Sequence, residues 1–505
     1  LPNRVDRALA FVLLRSAFLM SLHLKKSLPK PGNRFALPDV QGSADAYALA
    51  QAAQELTAQK RMLAIIVANA ADAQRLLAEI QWFGEQHQAP LRCHLLPDWE
   101  TLPYDAFSPH QDLVSERLAT LHEIRSGQCD VMIVPATTAL LRMAPPSFLA
   151  AYTFFFKQGE KLDETRLKSQ LTLAGYSHVG QVMSPGEYSV RGGLIDLFPM
   201  GSAIPYRLDL FGDTIETIRT FDADSQRSLY PVKEVRLLPG REFPMDEAAR
   251  SAFRSRWREV FEGDPSKSTI YKDIGNGIPS AGIEYYLPLF FEETATLFQY
   301  LPEDTMLALV GDVDAAIKRF WADTQSRYQF LKADRERPLL DPPKVFLTDE
   351  DFFTLAKPHA RWAIRSGDAA SELSAPLPNI AVNRRLEDPL ANLRSYLMQT
   401  DKRVLICAES GGRRETLQQV FNEYGLSPAA CDSYTDFLTS SDKLMLGVAP
   451  LYAGFEWRAD DAKLAFITET ELYAGSGRRI GRKKQEGVTQ VEAMVRDLSE
   501  LKIGD

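Results

Sequence analysis

The chain has 505 residues, too many for one ordinary domain, and three or four domains are expected. Apolar residues make up 45% and charged residues 25%, as in soluble globular proteins, so cores form without disulfide or metal staples. A net charge of −9 excludes binding to nucleic acid through overall charge and leaves only local basic surfaces for that role.

Residues 1–34 read as a leader. Here "ALAFVLLRSAFLMSLHLKK" follows Arg4 and Arg7 in the manner of a signal peptide, but Arg15 splits the apolar run and no small-residue cleavage site follows cleanly. The run is too short and interrupted to span a bilayer. It is read as a non-native leader before Met20, on a cytoplasmic protein with no membrane partner. Cys93, Cys129, Cys407 and Cys431 lie far apart without CxxC spacing, which suits reduced buried thiols. The seven histidines form no HExxH pairing, and no metal site is expected.

From 35 to 152 strands alternate with helices. "MLAIIVA" (62–68) is the continuous apolar run of a buried parallel strand. Leu76, Leu77, Ile80 and Phe83 then recur at helical spacing, with Gly84 as a stop. "LRCHLL" and "DVMIVP" are further strands, and "LVSERLATLHEI" between them is a helix, which together predict an α/β unit with a parallel sheet. Between 153 and 239 the pattern becomes a helix, Asp163 to Ala174, followed by short strands and turns. Gly212-Asp213 joins "YRLDLF" to "TIETIRTF" as a hairpin, predicting a small α+β insert. From 240 to 375 helical segments return, among them "AARSAFRSRWREVF" and "DAAIKRFWADTQSRYQFL". "KPHARWAIRSGDAASELSAPLPN" reads as linker-like, with 376–385 taken as the linker proper. Residues 386–498 form a second α/β unit with strands "RVLICA", "KLMLGV" and "LAFIT", and 499–505 begin a further link.

Catalytic machinery is hard to find. A phosphate-binding loop needs G-x-x-x-x-G-K-[ST] between strand and helix, and the chain has no Gly-Lys dipeptide. Gly42 and Ser43 in "DVQGSADAYALAQAAQEL" could open a helix at the corresponding place, but Asp45 puts a carboxylate in its first turn, where it would repel a phosphate. This is a degenerate nucleotide site. "ITETELYAGSG" offers two glutamates that read as a magnesium-binding pair or as solvated loop carboxylates. "ESGGRRETL" reads as an anion-binding helix start with Arg413 and Arg414, or as an ordinary one. Arg478, Arg479, Arg482, Lys483 and Lys484 form a local basic patch, either a solvated loop or a phosphate-backbone contact. No catalytic residue is assigned.

Three stretches, "PDWETLPYDAFSPHQDLVSERLATLHEI", "GEYSVRGGLIDLFPMGSAIPYRLDLFGDTIETIRTFDADSQRS" and "GIEYYLPLFFEETATLFQYLPEDT", resemble the N-terminal half of the bacterial transcription-repair coupling factors. The resemblance covers residues 35–505 and is similar, more distantly, to UvrB. It implies a degenerate P-loop (RecA-like) unit 35–152 matching UvrB domain 1a, the insert 153–239 matching domain 2, 240–375 matching domain 1b, and 386–498 matching the third domain of the coupling factors. The UvrB patterns that are missing agree with one another: no P-loop, "ALVGDVDAA" in place of the D-E-x-H box, and "SPHQDLVSERL" running into a helix with no room for the damage-probing hairpin.

Domain 2 of UvrB binds UvrA, and the resemblance assigns that contact here to Arg191, Arg207 and Phe211. Strand alternation places Arg207, Asp209 and Phe211 on one face of "YRLDLF", with Tyr206, Leu208 and Leu210 on the other. An arginine and aromatic patch has the composition of an interface hot spot. The bland alternative for Arg207 is an exposed pair near Asp209 or with Glu216 across the hairpin. By resemblance the whole protein would contact RNA polymerase and double-stranded DNA through domains beyond this chain, which would hold ATP and magnesium. It would also fold these domains back on its own translocase domains, masking the UvrA surface. No cofactor is expected in this chain. The competing readings are a DNA-binding module using the 478–484 cluster and a divergent ATPase.

Overall fold

Parallel strands covered on both faces by helices have no wet side, so they read as unbroken apolar runs. The computed structural model describes residues 28–473 apart from 86–89, 368, 384 and 460–462. Its first sheet is wholly parallel, in the order Arg34–Ala36, Ala360–Ile364, Met306–Val310, Leu63–Val67, Val131–Pro135, Cys93–Leu95. Leu63–Val67 and Met306–Val310 are buried at every position and lie side by side near the sheet's centre. Helix Ala70–Phe83 starts where the Asn69 side chain accepts the Asp72 N–H and ends at Gly84. Helix Gln111–Arg125 begins directly after His110.

The sheet corrects one expectation. The linker-like stretch contains the buried strand Ala360–Ile364, and the strand Ser374–Ala375 pairs with Phe455–Trp457. Arg361 and the small residues around Trp362 disguise an inner strand as a polar connection. Ile380, inside the expected linker 376–385, is buried in the core of the second α/β unit.

The insert is a six-stranded sheet in the order Ser228–Val232, Thr214–Phe221, Tyr206–Phe211, Leu194–Phe198, Glu187–Arg191, Ser177–His178, antiparallel except for the last pair. Val190, Ile195, Leu208 and Ile218 are in register across four strands. They share an apolar cluster with Leu167 and Leu171 of helix Glu164–Leu173 and with Val114 and Leu118 of helix Gln111–Arg125. One face is thereby committed to the body of the protein. Strands Phe154–Lys157 and Glu234–Leu237 pair antiparallel where the chain enters and leaves the insert.

At the exit Glu242, buried, accepts hydrogen bonds from Trp99 Nε1 and Arg117 Nε, both at 2.9 Å. Residues 243–346 add an aromatic core of Phe253, Trp257, Tyr286 and Phe290 beside Trp99 and Tyr104.

The second α/β unit orders its strands Ser374–Ala375, Phe455–Trp457, Leu464–Thr468, Arg403–Ala408, Leu444–Val448, Ala429–Cys431, the last four parallel. The alanine-rich helix Ala44–Ala58 lies between the two units and is buried along most of its length. Small side chains let both sheets approach it. Tyr47 lies 4.7 Å from Trp457 and 5.1 Å from Phe83, ring to ring, and Phe83 lies 5.3 Å from Tyr434 and 5.6 Å from Phe466. The two units therefore share one core. Among the described residues no helix is long and apolar enough to cross a membrane, and no cluster of three metal-ligating side chains occurs.

Phe83 is fully buried at that shared core. Phe83→Ala is expected to lower the free energy of unfolding by about 3–5 kcal/mol, as large-to-small core substitutions do. Urea unfolding followed separately by fluorescence and far-UV circular dichroism would check this, and a loss below 1 kcal/mol would contradict a joint core.

Candidate partner-binding surface

Strand register decides what the outer face of the insert carries. Since Val190, Ile195 and Leu208 point inward, Arg191, Leu194, Asp196, Arg207, Asp209 and Phe211 point outward. All three residues assigned to the UvrA contact share this face. Phe211 ends its strand at the two-residue turn Gly212-Asp213, with Gly212 at φ +64°, and is 78% exposed. Arg191 ends its strand at the neighbouring Gly192-Gly193 turn, and the Leu210 N–H donates to Gly193 O at 2.8 Å, so the two tips lie at one end of the sheet.

Arg207 is a different kind of residue. Its side chain is only 16% exposed, and the nearby carboxylate of Asp196 is 1% exposed. Arg207 Nε donates to Asp196 Oδ1 at 2.7 Å and Nη2 to Oδ2 at 2.9 Å, a bidentate pair. Arg191 Nη2 donates to the same Oδ2 at 2.5 Å from a side chain that stays 50% exposed. Hydrogen bonding to Asp196 holds the Arg207 guanidinium above its ordinary value, against the opposing pull of burial. Its Cζ sits 4.7 Å from the centre of the buried Phe221 ring, and Nη1 donates to Gln226 O at 3.2 Å. Phe221, Phe198 and Val182 form a small cluster that covers the far end of this face. Gln226 holds a left-handed φ of +58° there, with its side-chain amide donating to Ala223 O at 2.7 Å and Val182 O at 3.1 Å.

Two expectations are corrected. Arg207 pairs neither near Asp209 nor with Glu216; Asp209 accepts from Thr217 instead, Arg219 stands opposite Arg207, and the partner is Asp196 one strand away. Asp196 and Gln226 were not anticipated. The usable signal was a lone carboxylate in the apolar strand "LIDLF", since such a group needs a cation on the same face.

The other candidates sit elsewhere. Gly42, Ser43 and Asp45 lie at the start of helix Ala44–Ala58, with Ser43 and Asp45 buried and Gly42 half-buried. Ser43 Oγ donates to Glu79 Oε1 at 2.9 Å, Glu79 Oε2 accepts from Arg75 Nη1 at 2.9 Å, and Asp45 Oδ2 accepts from Arg75 Nη2 at 2.6 Å. The glutamates of "ITETEL" are not solvated loop groups. Glu469 is buried against Arg413, whose Nε donates to it at 2.8 Å, and Glu471 caps its own short helix through the Thr468 N–H. Arg414 pairs with Asp432 at 3.0 Å, so both arginines of "ESGGRRETL" face carboxylates of the chain. The cluster Arg478, Arg479, Arg482, Lys483 and Lys484 lies outside the described residues, as do residues 1–27 and 499–505.

Residues 154–243, the insert with its flanking strands, match the UvrB interaction domain, and residues 396–472 of the second α/β unit match the MFD D3 domain. The molecule is thus a mixed α/β protein with parallel sheets and a segment matching the UvrB interaction domain. The chain is 38% identical over 485 residues to the transcription-repair-coupling factor of Escherichia coli (strain K12) and 36% identical over the same length to that of Haemophilus influenzae. Each alignment covers 94% of this chain and 41% of the relative. The Myxococcus xanthus factor is 32% identical over 337 residues, covering 64% of this chain and 28% of the relative. The chain is similar to the transcription-repair-coupling factors along nearly all of its own length and spans about two fifths of the length of the first two relatives.

Arg207→Ala would leave the buried Asp196 with Arg191 alone. A loss of about 3 kcal/mol in stability is expected, the low end for breaking a buried pair, whereas Phe211→Ala should leave the melting temperature unchanged. Thermal melts of the two variants check this. Burial pushes the Glu79 carboxyl up to about 7, with Arg75, the Tyr452 N–H and Ser43 opposing and Asp45 reinforcing. Between its ordinary value near 4.5 and 7 the folded chain holds a proton that the unfolded chain releases. The Glu79 contribution is therefore fully present below the ordinary value and lost as pH rises through 7. Urea midpoints at pH 5 and pH 7.5 should differ less in Glu79→Gln than in the wild type.

Proposed function

We propose that this chain is the recruiting part of a transcription-repair coupling factor, and that the outer face of the insert binds UvrA. The observation that carries this is the solvent-open Phe211 and the half-exposed Arg191 at one end of the same face, braced by Asp196 and Arg207, within the segment matching the UvrB interaction domain. A large apolar ring displayed on a rigid strand end, sharing its face with a guanidinium that has donors to spare, is the make-up of a protein-binding anchor. In this reading Phe211 and Arg191 touch the partner, while Arg207 sets the position of Arg191 through their common carboxylate.

The first unit is read as a RecA-like unit with a degenerate nucleotide position, and the chain as having no chemistry of its own. ATP and magnesium, DNA translocation and the RNA polymerase contact would belong to the remaining length of the full relatives. The name transcription-repair-coupling factor supports the wider role of linking a stalled polymerase to excision repair.

Phe211→Ala and Arg191→Ala should each weaken UvrA binding by about 2 kcal/mol or more, roughly thirtyfold in Kd, with melting unchanged in Phe211→Ala and lowered less in Arg191→Ala than in Arg207→Ala. Titration calorimetry or co-elution with purified UvrA measures this. Wild-type affinity in both variants would remove the outer face from the contact. Arg207→Ala must be scored only after its stability is known.

A further inference from the structure

The start of helix Ala44–Ala58, where the degenerate nucleotide site was placed, is occupied by a loop from the other end of the chain. The Ser43 N–H donates to Ala453 O at 3.0 Å. In return the Tyr452 N–H donates to Glu79 Oε1 at 2.8 Å and to Ser43 Oγ at 3.1 Å, and the Ala453 N–H to Ser43 Oγ at 3.3 Å. Ser43 and Glu79 are fully buried. These partners are separated by 373 to 410 positions in sequence.

Gly42 explains why the approach is so close. It adopts φ +51°, and a Cβ placed there would lie 2.6 Å from Gly454 O and 2.7 Å from Ala453 O. Gly454 is equally crowded, since a Cβ there would meet Glu471 Oε2, Leu377 Cδ1 and Phe466 O, each at 2.6 Å. The two glycines allow backbone to meet backbone where a nucleotide-binding loop would leave room for an anion. The charge agrees. Asp45 and Glu79, both buried, share the single cation Arg75, so the position is lined with carboxylate that a phosphate would have to displace.

We infer that residues 451–454 form an intramolecular latch, seated in the phosphate position of the first α/β unit and fastening the second unit to it through Ser43 and Glu79. The latch rests on these contacts alone; the phosphate position rests on the degenerate-site reading proposed above. The loop supplies the donors that Glu79 lost with its water and takes the helix-end donor that a phosphate would have taken. The two α/β units then move as one body.

The test is amide hydrogen exchange on the whole chain, wild type against Gly42→Ala. In the wild type the Tyr452 and Ala453 amides should exchange as slowly as those of strand Arg403–Ala408. In Gly42→Ala they should speed up by about tenfold or more, as local opening does, while the insert's amides stay unchanged. If Gly42→Ala does not fold, Ser43→Ala removes the hydroxyl with no added bulk and should raise exchange at the same two positions. Fast exchange at 452 and 453 in the wild type, or unchanged exchange in both variants, overturns the latch. A fluorescent ATP analogue with magnesium should show no saturable binding to the wild type. Saturable binding that protects the 42–45 amides would show that position open to a phosphate and overturn the seating of the loop there. UvrA binding through Phe211 is independent of all these outcomes.

Discussion

A carboxylate that has lost its water must be given donors by the protein, and in this chain those donors come both from neighbouring turns or strands and from segments more than a hundred positions away. Glu79 draws on Ser43, Arg75 and the Tyr452 N–H at the joint of the two α/β units. Glu242 takes Trp99 and Arg117 where the insert rejoins the body. Glu284 takes the Ser108 hydroxyl at 2.8 Å, and burial pushes its carboxyl up to about 7. Asp196 takes two arginines inside the insert. Apolar contact supplies the bulk attraction at each seam. The carboxylates add selectivity, because any other docking of the same apolar surfaces would strand a buried charge at a cost of about 3–5 kcal/mol.

Within the insert the same constraint divides labour between two arginines that look alike in sequence. Arg207 is spent within the insert itself, bidentate on Asp196 and over the Phe221 ring. Arg191 gives Asp196 one hydrogen bond and keeps half of its surface in water. A sheet with one face packed on the helices therefore presents on the other a guanidinium and a phenyl ring without leaving either strand loose.

Much of the fold could be read from apolar runs. "MLAIIVA", "DVMIVP", "RVLICA" and "LAFIT" are buried parallel strands, and the Gly212-Asp213 hairpin forms where its turn residues put it. Ala360–Ile364 was hidden because its two alanines and Arg361 carry little apolar signal, although its neighbours bury it. Strands Phe455–Trp457 and Ala429–Cys431, three residues each, are too short to show a period. Alternation placed Arg207 and Phe211 on a common face, but it could not tell a clamped arginine from a free one. That difference depends on Asp196, eleven positions earlier, and on a cluster formed by Val182, Phe198 and Phe221. The joint at Glu79 has no local signature at all, since its partners meet only when both sheets are complete.

How rigidly Phe211 is held bears on how a partner would be captured. A ring on a flexible loop loses conformational freedom when bound, and that loss subtracts from affinity. Phe211 instead closes a strand that is hydrogen-bonded on both sides, next to a turn of only two residues, on a sheet whose inner face is buried. Its backbone is ordered before any encounter. The free energy released when the ring leaves water is then available to binding rather than to ordering the site. The same logic extends to Arg191, whose hydrogen bond to Asp196 fixes the guanidinium while leaving other N–H donors open. The insert is preorganised by its buried carboxylate, and its outer face gains from rigidity what it lacks in apolar area.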